Sequence, residues 1–171
     1  MLARFVYAGI PVPDWRHGFI RSTQVGCAAA LLGVLIAFIF SLAFPTGLGP
    51  VAGEAVFQEG TAVLLLMSLV WAPCFETVVG QLLPITFVRL FTKSSLPAVL
   101  CSGLVFGLGH MMGGGGPIQG SLSAVIGSIF AMVFVANIEA GMFRASVLTA
   151  WTHCVNNALG AAVYLVGTNM S

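Results

Sequence analysis

No charged side chain interrupts residues 23–44, 95–112, 117–137 or 145–166, and segment 61–88 carries only Glu76. A hydrocarbon core of about 30 Å requires about 20 residues of helix, and only structures that satisfy their own backbone hydrogen bonds cross it. These five segments therefore predict an all-α, polytopic transmembrane helical bundle of about five spans. Composition agrees: 58% of residues are hydrophobic and 6% are charged, against about 25% charged in a soluble domain. The partner implied first is the lipid bilayer. Six Lys and Arg against five Asp and Glu leave no basic stripe for nucleic acid.

Local signals delimit the segments. Pro45 and Gly47 stop the first, Pro73 lies inside the second, and four glycines at 113–116 end the third. Pro117 suits a helix start and opens the fourth. Residues 1–22 are too broken by Pro11, Pro13, Asp14, Arg16 and His17 to form a signal peptide. They read as a cytoplasmic or interfacial arm, with a disordered tail as the alternative, and residues 23–171 as the bundle. Arg4, Arg16, Arg21, Arg89, Lys93 and Arg144 all fall on one side of a five-span arrangement. By the excess of basic residues in cytoplasmic loops, that side is cytoplasmic. The expectation is an integral protein of a bacterial or archaeal plasma membrane, amino terminus inside and carboxyl terminus outside.

Cys27, Cys74, Cys101 and Cys154 lie within apolar segments, form no CxxC pair, and read as small buried hydrophobes. A nucleophilic pair of Cys154 with His153 is disfavoured, because adjacent residues on a helix diverge by about 100°.

Ionisable and amide groups inside such segments are expensive, which makes them functional candidates; helix-to-helix hydrogen bonding is the plainer alternative. They are Glu76, His110, and His153 with Asn157. At about 1.5 Å rise per residue they lie roughly 18, 22, 12 and 18 Å from the cytoplasmic ends of their segments, a shared layer. His153 and Asn157 are four apart and share a helix face, as do Phe106 and His110, so Phe106 is placed to shield His110. A glutamate there is suited to general base work on water, a histidine to orienting that water, and a second histidine with an amide to stabilising an oxyanion. Pro73, three residues before Glu76, removes a backbone hydrogen bond and is expected to kink the helix beside the carboxylate.

The series A-P-x-x-E-T-x-x-x-Q, F-x-x-x-H and H-x-x-x-N, on successive apolar segments from Trp71 to Asn157, resembles the CPBP family of intramembrane proteases, which includes CAAX prenyl proteases and is also called Abi. The resemblance implies a helical peptidase core over about 61–166 that cleaves a membrane-associated or prenylated peptide or protein substrate. It implies that Glu76 and His110 activate water and that His153 and Asn157 form the oxyanion hole. The family pattern E-E-x-x-x-R is altered here, with Thr77 for the second glutamate and Gln81 for the arginine. These two are four apart, so a Thr77–Gln81 hydrogen bond is expected to replace the charge pair. No cofactor is expected. The chemical alternative is zinc on the two histidines and the glutamate, although the H-E-x-x-H spacing is absent. The functional alternative is a non-catalytic immunity factor, chaperone or peptide-binding scaffold on the same fold. A small transporter would need paired broken helices or an internal repeat, neither of which is present. The glycine run 113–116 reads as a flexible connection, with a gate beside His110 as the alternative.

Overall fold

Asp14, which the sequence presents as an interruption, starts the first helix. Its carboxylate accepts from the Arg16 amide at 3.0 Å and pairs with His17 Nδ1 at 3.1 Å, which holds this exposed acid below the usual carboxylate range, chiefly through the Arg16 amide. Helix α1 therefore runs Trp15–Ala43, and the expected arm ends eight residues earlier than the hydropathy pattern suggests. The computed structural model describes residues 14–43, 56 and 59–169. The arm up to residue 13 and the stop at Pro45 and Gly47 fall outside the described residues.

Four further helices follow: α2 Thr61–Arg89, α3 Ser95–Met112, α4 Pro117–Asn137 and α5 Met142–Asn169, with a single 3₁₀ turn at Ile138–Ala140 between the last two. The protein is an all-α integral membrane bundle. Four of these helices, not five, are long and apolar enough to cross a membrane. The exception is α5, which at 28 residues has the length but carries His153, Asn156 and Asn157. His153 and Asn157 turn toward α2, so α5 brings polar groups into the interior of the bundle.

Small residues set how closely the helices approach, as is usual where lipid offers no hydrophobic drive. On α1, Gly18 faces Leu148, and a Cβ at Gly26 would lie 2.7 Å from the Thr152 carbonyl. Helices α1 and α5 consequently run parallel. Between α3 and α4 the contact is tighter still, for a Cβ on Gly107 would meet the Gly120 carbonyl at 2.5 Å. Backbone cannot yield as a side chain can. Gly107→Val is expected to cost about 1–3 kcal/mol from overpacking, read as a lower unfolding midpoint in detergent.

Helix α2 is irregular where it matters. It contains two π segments, Met67–Trp71 and Thr77–Leu82, each followed within two residues by a proline, Pro73 or Pro84. A proline has no amide hydrogen and crowds the carbonyl four residues back, and a π turn just before it relieves the crowding. Glu76 lies on the short α-helical piece between the two wide turns.

The glycine run is an ordered turn. The Gly113 amide bonds the Gly109 carbonyl at 2.9 Å and the Gly115 amide bonds that of His110 at 3.0 Å, while Gly114 takes φ 98°, a left-handed conformation that favours glycine. This cap fixes the end of α3, and with it His110.

The cysteines depart from expectation. All four are free, Cys74 is exposed and the others are half-buried. In a membrane protein an apolar side chain gains nothing by leaving lipid for the interior, so apolarity does not predict burial here.

Candidate active site

Three helices converge on the Glu76 carboxyl. Its Oε2 stands 3.7 Å from His153 Nε2 on α5 and 4.0 Å from His110 Nε2 on α3. Both separations exceed a hydrogen bond, and Oε2 has no hydrogen-bond partner within the protein. His110 Nδ1 lies 3.0 Å from the Phe106 carbonyl. A carbonyl only accepts, so Nδ1 carries a hydrogen, and in the neutral tautomer Nε2 is left with its lone pair on the Glu76 side.

Phe106 does more than shield His110. Its ring is 4.7 Å from that of His110, 5.6 Å from that of His153 and 5.8 Å from that of Phe130. It fits because Gly80 and Gly127 flank it; a Cβ at either would lie 2.8 or 2.6 Å from its atoms. Phe130, one phenylalanine among 13, lies 4.6 Å from the His153 ring, and no spacing rule links it to the site in sequence.

Asn157 reaches across to α2, where its Nδ2 donates to the Ser68 carbonyl at 3.0 Å. In π pairing Ser68 would bond the amide five residues on, which is Pro73 and has none. Asn157 thus takes the acceptor that the proline leaves free. Its Oδ1 accepts from Asn156 Nδ2 at 3.1 Å, and its second amide hydrogen remains for the cavity. A parallel substitution occurs near Pro84, whose missing amide would reach back to Gly80 in α pairing. There Ser102 Oγ donates to the Gly80 carbonyl at 2.6 Å, fully buried. Ser102→Ala is expected to cost about 1–3 kcal/mol by orphaning that carbonyl, and chemical denaturation in mixed micelles is the check.

Thr77 and Gln81 do not form the expected hydrogen bond. Thr77 Oγ1 and both amide atoms of Gln81 have no partner within the protein, because the π turn between them replaces the i, i+4 register with i, i+5. Both are buried behind the site rather than lining it.

Glu76, His110, His153 and Asn157 share a cavity of 680 Å³, walled on its apolar side by the stacked Trp71 and Phe75 rings, 6.1 Å apart. The volume suits a short peptide segment or other small ligand. A second cavity, of 450 Å³, reaches both histidines and Asn157 from between α1 and α4. Zinc bonded at about 2.0–2.1 Å would set its donors roughly 3.3 Å apart, and the spacing here is wider. Among the described residues no group of three His, Cys, Asp or Glu is arranged to hold a metal ion.

No protein-family model, curated protein or solved structure matches the chain.

Proposed function

We propose that the chain is an intramembrane endopeptidase, hydrolysing a peptide bond of a membrane-associated or prenylated substrate with a water activated by Glu76. The observation that carries this reading is a carboxyl that lines a cavity of peptide size inside an apolar bundle and holds one oxygen 3.7 and 4.0 Å from two imidazole nitrogens. Both gaps exceed a direct hydrogen bond, and the carboxyl and the two rings open on the cavity from which water reaches them. The resemblance of the three motifs to the CPBP family supports the same assignment.

In this mechanism Glu76 takes a proton as the water oxygen attacks the substrate carbonyl, and the His110 Nε2 lone pair orients the water. A carbon–oxygen bond forms, and the carbonyl oxygen gains negative charge that His153 and the free Asn157 amide hydrogen stabilise. Glu76 then returns the proton to the departing nitrogen as the carbon–nitrogen bond breaks. The products are a carboxylic acid and an amine, which exchange the remaining proton to leave a carboxylate and an ammonium.

The test is cleavage of membrane peptides by the purified protein in lipid vesicles, followed by mass, before and after treatment with a chelator. Cleavage insensitive to the chelator is expected. Loss that zinc restores would replace glutamate activation with metal activation.

A peptide-binding scaffold is the second reading. It is favoured by the Asn157 amide, part of which is committed to the Ser68 carbonyl, and by the neutral Thr77 and Gln81. It predicts peptide binding with no cleavage.

A further inference from the structure

Many polar side chains inside the bundle satisfy themselves on nearby carbonyls. Thr152 donates to Leu148 at 2.9 Å, Ser128 to Ala124 at 2.8 Å, Asn137 to Val133 at 2.8 Å, and Ser102 to Gly80 at 2.6 Å. One group breaks the pattern. Thr77 Oγ1, Thr149 Oγ1, His153 Nδ1 and both amide atoms of Gln81 are buried with no hydrogen-bond partner in the protein, on residues 0–3% exposed.

Helix directions place this group in one layer. The contacts Asn157 to Ser68 and His153 to Glu76 make α2 and α5 antiparallel. Moving from Glu76 toward Arg89 on α2 reaches Thr77 and then Gln81. Moving from His153 toward the start of α5 reaches Thr149, about 6 Å away. The π segment Thr77–Leu82 packs against α5. Ser22 of α1, flanked by Gly18 against Leu148 and Gly26 against Thr152, adds a further unpartnered Oγ at a similar height. The remaining unpartnered nitrogen outside this layer, Arg144 Nε, lies at the start of α5.

Buried polar atoms left unmatched are strongly disfavoured, and more so where lipid surrounds the protein. Apolar residues of equal size would have avoided the cost. Hydroxyls and a carboxamide, each both donor and acceptor, match water, which makes two to four hydrogen bonds when buried; they carry no charge to hold an ion. We propose that Thr77, Gln81, Thr149 and Nδ1 of His153 hold an internal cluster of ordered water one turn beneath Glu76.

The cluster gives His153 its orientation. The Glu76 carboxylate, an acceptor, faces Nε2, so the proton resides on Nε2 and Nδ1 accepts from the water. His153 is thereby a fixed donor toward Glu76 and the cavity. This consequence rests on the peptidase reading; the water cluster itself does not. Gln81 and Thr149 are positioning residues in this account.

The test uses the full chain in lipid, with nitrogen-15 histidine and glutamine and magnetic resonance detection. In the wild type, magnetisation transfer from water to the Gln81 side-chain amide is expected. In Gln81→Leu and Thr149→Val the His153 Nδ1 resonance is expected to shift toward that of an imidazole nitrogen lacking a hydrogen bond. A dry Gln81 amide, or one bonded to protein groups instead, would overturn the proposal, as would an unshifted Nδ1 in folded variants. The wild-type measurement decides alone if a variant does not fold. Neither readout requires peptide cleavage, so failure here is distinct from failure of the peptidase reading.

Discussion

Glu76→Gln is expected to abolish peptide cleavage, by about 10²–10⁴-fold, the range typical of a lost general base. The amide keeps the size and hydrogen-bonding capacity of the carboxyl and loses only the ability to carry the proton from water to the leaving nitrogen. The variant should remain folded, because Oε2 makes no hydrogen bond that the fold uses. A parallel fall in kcat and kcat/KM is the expected signature of a group that acts in the transition state. Cleavage at the wild-type rate would remove Glu76 from the chemistry.

Asn157→Leu carries the second large effect, because one side chain serves two purposes. Its Nδ2 satisfies the Ser68 carbonyl freed by Pro73, and in the proposed mechanism its other hydrogen stabilises the oxyanion. Leucine leaves the carbonyl orphaned, costing about 1–3 kcal/mol of stability. Loss of one oxyanion donor costs about 10²–10³-fold in kcat. Thermal unfolding and turnover should therefore fall together. Asn157→Leu with intact turnover and a lowered midpoint would assign the residue to holding the Ser68 carbonyl alone.

The features behind these two effects are unequally legible in the sequence. Glu76, His110 and His153 stood out because each is a polar residue in a segment that should be apolar, and three such exceptions at one depth point to one another. The same logic read α5 as an ordinary span, whereas its polar face keeps it below the apolarity of a crossing helix. Hydropathy records what a side chain is, not whether it faces lipid or protein. The start of α1 was hidden because Asp14 looks like a break in an apolar run and acts as a cap.

The π segments were not legible at all. Pro73 and Pro84 signal a disturbed helix, but a kink and a wider turn begin from the same missing amide. Only the packed neighbours decide between them: Asn157 at Ser68 and Ser102 at Gly80. This is also why the Thr77–Gln81 hydrogen bond failed, since its spacing presumed an α register. Phe130 had no signal among so many apolar aromatics, although it packs on His153 as closely as Phe106 packs on His110.

The central claim is that water activated at Glu76 ends up in the product. Wild-type protein in vesicles, incubated with a membrane peptide in oxygen-18 water, should release a fragment whose new carboxylate carries the heavy oxygen, and Glu76→Gln should release none. Peptide that binds both proteins and emerges whole and unlabelled from each would contradict the account.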